Sequence, residues 1–108
     1  MEVKHIDVHE LKAKLDSENP PVLVDVREPM EREFTHIEGE FIPLGELPDR
    51  TAELQNYKNR EVIIYCRSGA RSAEACKILQ NEGFKDVKNL EGGLLSWSEE
   101  IDPTIPQY

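Results

Sequence analysis

Residues 62–83, VIIYCRSGARSAEACKILQNEG, predict a strand, a loop and a helix in immediate succession. The apolar run at 62–65 is typical of a buried strand. The residues after Ser72 have the spacing of an amphipathic helix that ends at Gly83, a residue type common just beyond a last turn. The loop begins with Cys66 and carries two arginines and one glycine. A cysteine between a strand end and a helix start has an unusual electrostatic setting, which predicts an active site in this loop.

Strands alternate with helices along the rest of the chain. Further strands are predicted at 4–6, at 22–26, briefly around Ile42, and at 84–90. Helices are predicted at 8–16, capped by Asp7 or the residues just after it, and at 29–34, 48–57 and 94–100. The tail, residues 101–108, contains two prolines and is expected to pack loosely. The alternation predicts an α/β fold in which helices cover both faces of a mainly parallel central sheet.

Length, composition and charge limit the class of protein. The 108 residues, 38% hydrophobic and 32% charged, fit one globular domain spanning 1–108. A formal net charge of −9 argues against nucleic acid and anionic membranes as partners. No apolar run approaches a membrane span, and the polar N-terminal residues lack the apolar core of a signal peptide. We therefore expect a cytoplasmic protein with no nucleic-acid or membrane partner.

The cysteines and histidines do not form a metal-binding pattern. Cys66 and Cys76 lie ten residues apart, which matches neither a disulfide framework nor a zinc motif. The three histidines, His5, His9 and His36, are scattered. We expect no bound metal and no cofactor. Cys76 lies on the helical face that should meet the sheet, so it is predicted to be a core residue rather than a redox partner of Cys66.

Several features of the loop favour ionisation of Cys66, and the thiolate is the reactive form of cysteine. The helix after the loop presents unpaired N–H groups and a partial positive charge. Gly69 allows a tight turn that points successive backbone N–H groups inward. Arg67 and Arg71 add positive charge, and residues 62–73 contain no acidic residue. The loop is therefore a positive region on a negative protein, which predicts an anionic ligand.

The same features would bind an oxyanion such as thiosulfate or phosphate. The hydroxyls of Ser68 and Ser72 add donors, although Ser72 is equally well placed to cap the helix. A nucleophilic cysteine in an oxyanion site is compatible with two enzyme classes, one carrying phosphate on the cysteine and the other a persulfide sulfur. Only four residues separate Cys66 from Arg71. So short a loop favours the smaller transferred atom but leaves both classes open.

Segments spread over nearly the whole chain resemble single-domain rhodanese sulfurtransferases, in the family's order. They are VDVREP at 24–29, FTHIEG at 34–39, IPL at 42–44, YCRSGARS at 65–72, and NLEGG at 89–93 followed by Trp97. The resemblance implies a rhodanese-like fold and a six-membered loop from Cys66 to Arg71, one residue shorter than in the related tyrosine phosphatases. It also implies that sulfane sulfur passes from a small anionic donor such as thiosulfate, through a persulfide on Cys66, to a thiol, cyanide or protein acceptor.

The resemblance also implies roles for the individual residues of this chain that match the family's functional positions. Cys66 is expected to be the catalytic residue. The substrate-binding residues are expected to be the rest of the loop: Arg67, Ser68, Gly69, Ala70, Arg71 and Ser72. Asp25 and Arg27 match the family's Asp-x-Arg motif and are expected to steady the edge of the loop through an ion pair or backbone hydrogen bonds. His36 matches the family's histidine and is expected to be a hydrogen-bonded structural residue.

The chain departs from the family pattern in one segment. Thr35 stands where the family often has glycine, Glu40 replaces a usual alanine, and 39–43 is one residue shorter than the common spacing. The shortened form is similar to rhodanese domains appended to adenylating enzymes.

Two alternative functions are open at this stage. A cysteine phosphatase or arsenate-type reductase would use the same oxyanion site, but the short loop disfavours it. A non-catalytic interaction module would use the fold to dock a partner, but the intact cysteine and both arginines argue against it.

Overall fold

The computed structural model describes residues 2–108 and contains a five-stranded sheet. The strands are β1 (Lys4–Ile6), β2 (Val22–Asp25), β3 (Glu40–Phe41), β4 (Glu61–Tyr65) and β5 (Asp86–Leu90). Their order in the sheet is β1-β5-β4-β2-β3, and every neighbouring pair is parallel. The predicted parallel α/β fold is therefore confirmed.

The helices are α1 (Val8–Leu15), α2 (Pro29–Phe34), α3 (Leu47–Arg50), α4 (Ala70–Asn81) and α5 (Gly93–Glu100), with a 3₁₀ helix at Thr51–Tyr57. Between residues 2 and 108, none of the helices combines the length and hydrophobicity needed to cross a bilayer. The predicted helix at 48–57 is thus a short α-helix continued by a 3₁₀ helix. The brief strand expected around Ile42 is β3, which ends at Phe41.

Helices cover both faces of the sheet because β4 alternates its buried side chains between two cores. Val62 and Ile64 point into a cluster that includes Leu47 of α3 and Leu79 of α4. Ile63 and Tyr65 point into a second cluster, which includes Leu11 of α1 and Trp97 of α5. All four side chains of this run are 0% exposed. A continuous apolar run is what a central parallel strand buried on both faces requires.

The parallel sheet brings three chain segments to one edge. The carboxyl ends of parallel strands meet at the same edge, and the register pairs Asp25 at the end of β2 with Tyr65 at the end of β4. Strand β5 ends beside them, because Ile64 pairs with Asn89. The loop that begins at Cys66 therefore lies between the segments that follow β2 and β5.

The start of α5 holds the backbone of this loop. The amides of Leu94 and Leu95 donate to the carbonyl oxygens of Cys66 and Arg67, over 2.9 and 3.0 Å. These contacts pair N–H groups that a helix start leaves without intrahelical partners. Gly93 permits the close approach: its φ is +56°, and a Cβ there would lie 2.5 Å from the Cys66 carbonyl oxygen.

We expect Gly93→Ala to lower the free energy of unfolding by roughly 2 kcal/mol or more, because it combines an unfavourable backbone conformation with a clash against backbone atoms. Urea denaturation followed by tryptophan fluorescence measures the change. Gly45→Ala is the matched control, since a Cβ at Gly45 meets nothing within 4 Å. Equal stabilities of the two variants would contradict the claim that Gly93 is needed for the close approach of α5 to the Cys66 carbonyl.

Candidate active site

Cys66 follows β4 directly, and its side chain lies at the centre of the loop. The residue is 1% exposed. Its Sγ accepts hydrogen bonds from the backbone N–H groups of Gly69, over 3.1 Å, and Ser72, over 3.4 Å. The Oγ of Ser72 lies 3.3 Å from the same sulfur. The loop and the first turn of α4 thus wrap around one sulfur atom.

Two opposing effects set the acidity of this thiol. Burial raises the pKa of Cys66, because it disfavours the charged form. The hydroxyl of Ser72 and the backbone N–H groups of Ser72, Gly69 and Ser68 lower the pKa by donating to the sulfur. Together the donors outweigh burial, so the pKa of Cys66 lies below its ordinary value. The structure therefore makes this thiol more acidic than an ordinary cysteine thiol.

Gly69 makes the amide arrangement possible. Its φ is +111°, a conformation that L-residues with side chains rarely adopt, and it is the N-cap of α4. Helix α4 therefore begins at Ala70, and the alternative prediction that Ser72 caps it is wrong. Ser72 lies in the first turn and is fully buried, so its hydroxyl faces the sulfur. Ser68 and Ala70 are exposed on the loop.

Asn89 supports the loop from β5, although we did not predict it as a site residue. Its side-chain amide donates to the Gly69 carbonyl over 3.1 Å, and its Oδ1 accepts the hydroxyl hydrogen of Ser72. Because the Gly69 carbonyl can only accept, it fixes the orientation of the amide. The single hydroxyl hydrogen of Ser72 has two possible acceptors, Asn89 and the Cys66 sulfur, and the backbone amides donate to the sulfur in either case. The sequence signal that could have identified Asn89 is the presence of a polar residue in the predicted strand at 84–90, among positions expected to be buried.

Both arginines of the loop have partners within the chain. Arg71 forms two hydrogen bonds with the carboxylate of Glu31 on α2, of 2.6 and 2.9 Å. Nε of Arg67 donates to the backbone oxygen of Tyr108, and its guanidinium carbon lies 5.1 Å from the centroid of the Tyr108 ring. The charge of Arg71 also interacts with Cys66. The positive region is therefore partly neutralised, which the sequence between residues 62 and 73 did not indicate.

Asp25 and Arg27 form a buried ion pair at the end of β2, with both side chains 0% exposed. Nε and an Nη of Arg27 donate to the two Asp25 oxygens over 2.9 and 2.8 Å, and the Arg27 backbone N–H donates to Asp25 over 3.0 Å. A further Nη bond of 2.7 Å reaches the carbonyl oxygen of Thr35. The guanidinium thus connects the end of β2 to the segment after α2, and both expected kinds of contact are present.

His36 lies on the exposed segment after α2. Its Nδ1 donates to the carbonyl oxygen of Arg32 over 3.0 Å. The hydrogen bond fits a structural role and involves α2 rather than the Cys66 loop.

The end of the tail packs against these residues, so the expectation of loose packing is wrong for Tyr108. Its hydroxyl donates to Glu31 over 2.5 Å and accepts from Arg27 over 2.9 Å. Its ring meets that of Phe34 edge to face, with centroids 5.9 Å apart. Tyrosine suits this position because its ring packs against an apolar side chain while its hydroxyl hydrogen-bonds to charged groups.

The second cysteine is in the core, as predicted. Cys76 is 0% exposed. Burial, together with the nearby charge of Cys66, raises the pKa of Cys76 to about 12. The pKa shifts of the two thiols are therefore opposite in direction, and Cys66 is the more acidic of the two.

Comparisons with known proteins agree with this geometry. The family model for the Rhodanese-like domain matches residues 7–100. The putative sulfurtransferase YtwF of Bacillus subtilis is 38% identical over 95% of this chain and 98% of its own length. A rhodanese-like domain protein from Staphylococcus aureus has a crystal structure that superposes with a TM-score of 0.81 at 33% identity, covering 98% of this chain and 99% of that one. The chain belongs to the rhodanese-like family.

A second kind of relative is longer. The probable adenylyltransferase/sulfurtransferase MoeZ of Mycobacterium tuberculosis is 34% identical over 104 residues, which are 95% of this chain. The chain spans 26% of the length of that relative.

The lowered pKa of Cys66 predicts its reactivity. We expect the rate of alkylation by iodoacetamide to rise with pH through a midpoint below that of free cysteine measured under the same conditions, because the thiolate is the species that reacts. Mass spectrometry of the alkylated protein measures the rate and identifies the cysteine. Cys76→Ala should behave like the wild type, and Cys66→Ser should not react under native conditions. A midpoint at or above that of free cysteine would contradict the activated thiolate.

Proposed function

We propose that this chain is a sulfurtransferase that carries sulfane sulfur as a persulfide on Cys66. Membership of the rhodanese-like family, and similarity to relatives named as sulfurtransferases, support sulfur transfer in general. The observation that carries the proposal is the pair of backbone amides that donate to Sγ from Gly69 and Ser72. These amides can hold negative charge on the cysteine sulfur, and their position at the start of a helix adds a partial positive charge.

The first step transfers sulfur to the protein. The Cys66 thiolate attacks the outer sulfur of the donor and forms a new S–S bond. The S–S bond of the donor breaks, and the leaving group takes the bonding electron pair, as sulfite from thiosulfate or as a thiolate from a persulfide. Charge on the resulting Cys66 persulfide is held by the loop amides, while the charges of Arg67 and Arg71 orient an anionic donor.

The second step returns the cysteine to its starting state. A thiolate or cyanide attacks the outer persulfide sulfur, the Cys66 S–S bond breaks, and the Cys66 thiolate leaves. The products are a persulfide or thiocyanate, and the sequence of steps is a ping-pong exchange. A protein thiol or sulfur carrier could serve as the acceptor. The similarity of residues 39–43 to rhodanese domains attached to adenylating enzymes, and the match to MoeZ, favour such an acceptor.

Sulfur loading tests the proposal directly. Incubation of the intact protein with thiosulfate should add one sulfur atom, and cyanide should remove it as thiocyanate. Intact-mass spectrometry measures both changes. Cys76→Ala, the matched cysteine control, should load normally, and Cys66→Ser should not load. Failure of the wild type to accept sulfur from thiosulfate or any persulfide donor would overturn the proposal, and so would Cys66-dependent hydrolysis of a phosphotyrosine analogue without sulfur loading.

Removing the charge of Arg71 tests its role in donor binding. We expect Arg71→Ala to raise the KM for thiosulfate by about tenfold, because a charge-assisted contact with the donor is lost. The variant should also lose some stability, because the Glu31 side chain is only 18% exposed and is left without its arginine partner. Steady-state kinetics and urea denaturation measure the two effects. An unchanged KM would show that the backbone amides bind the donor without Arg71.

A further inference from the structure

The ion pair between Glu31 and Arg71 places a carboxylate beside the loop that is proposed to bind an anion. Both carboxylate oxygens of Glu31 contact the guanidinium of Arg71, and the geometry is the strong two-bond form of this interaction. The Arg71 hydrogen bonds outweigh burial and lower the pKa of Glu31 to about 2, so the carboxylate is ionised at neutral pH. An anionic donor that binds the guanidinium of Arg71 must therefore compete with the Glu31 carboxylate, which already binds it.

The other guanidinium groups near the ends of β2 and β4 are also engaged. Arg27 and Arg32 both contact Asp25, and Arg67 contacts the backbone oxygen of Tyr108. A donor that binds Arg71 must share its guanidinium with the Glu31 carboxylate, and a doubly charged donor is repelled by that carboxylate. A donor with a single charge faces less repulsion from the same carboxylate, because the Coulomb energy scales with the product of the charges.

The surface next to the ion pair is apolar rather than cationic. Glu31 lines an open depression of about 320 Å³ together with Met30, Phe34 and Tyr108. Met30 is 76% exposed and Phe34 is 58% exposed. Such a surface can contact the organic part of a donor, but its lining residues offer no positive charge to a small inorganic dianion.

We propose that Glu31 is a specificity-determining residue that disfavours thiosulfate and directs the site towards singly charged organic sulfane donors, the class to which thiol persulfides belong. This inference rests on the proposed sulfur transfer through Cys66. The transfer step is unchanged: the Cys66 thiolate takes the outer sulfur, and the organic thiolate leaves with the electron pair. Glu31 acts on donor binding through Arg71 and by direct repulsion, and it takes no part in the bond changes.

A charge-matched pair of donors tests this role. Thiosulfate carries two charges, and benzenethiosulfonate carries one on a similar sulfane sulfur with an organic body. At fixed ionic strength, we expect Glu31→Gln to lower the KM for thiosulfate by about fivefold and to change that for benzenethiosulfonate by less than about twofold. The ratio of kcat/KM for the two donors is the deciding quantity, because a purely structural effect would move both donors together.

The chain provides a matched control in a second two-bond Arg–Glu pair. Arg50, the last residue of α3, contacts Glu53 on the 3₁₀ helix through Nε over 2.7 Å and through an Nη over 3.0 Å. Glu53→Gln should leave the donor ratio unchanged. In the Arg71→Ala background, Glu31→Gln should give a smaller gain in thiosulfate use than in the wild type, because only the direct repulsion by Glu31 is then removed and no guanidinium is freed.

The outcomes separate this inference from the proposed function. Sulfur loading by both donors with an unchanged ratio in Glu31→Gln would overturn the role of Glu31 and leave sulfur transfer intact. Loading by neither donor, in wild type and variant alike, would overturn both.

Discussion

Burial of the Cys66 thiol opposes its ionisation, and the chemistry proposed for this chain requires the ionised form. The conflict is resolved by backbone amides, which donate to the sulfur from Gly69 and Ser72. These amides point at one atom only because Gly69 adopts a φ of +111° and allows α4 to begin at Ala70. The site thus depends on a backbone conformation more than on any single side chain. Other parts of the fold can be understood by how they hold that conformation.

The loop is held from both sides by neighbouring segments at the carboxyl edge of the sheet. From β5, Asn89 bonds the Gly69 carbonyl, and the first amides of α5 bond the carbonyls of Cys66 and Arg67. From the side of β2, Glu31 on α2 pairs with Arg71 of the loop, and the buried pair of Asp25 and Arg27 connects the strand end to the segment after α2. A buried charge needs its partner to be stable, so this pair fixes the geometry of that side. The parallel order of the strands is what brings all these supports to one edge.

Features set by local sequence patterns could be predicted, and features set by distant partners could not. The apolar runs at 22–26 and 62–65 were sufficient to place the central strands, and Asp7 caps α1 as expected. The cap of α4 was missed because the left-handed conformation of Gly69 decides it, and serine at position 72 is an equally ordinary cap. Glu31 pairs with Arg71 across 40 residues and with Tyr108 across 77. No local pattern links such positions.

In this site, backbone amides contact the reactive sulfur, whereas side chains set the charge near it. The proposed chemistry and the proposed donor selectivity therefore depend on different parts of the chain. The amides that face the sulfur cannot be altered by substitution without changing the loop itself, so the proposed capacity to hold a persulfide is tied to the fold. The charge seen by an approaching donor is set by side chains on two different elements, Arg71 on α4 and Glu31 on α2. Replacing an acidic residue on α2 would therefore change which donors bind while leaving the amides around Cys66 in place. The exposed apolar residues of α2 lie beside that acidic residue, so the charge and the apolar surface that we propose to select the donor belong to the same helix.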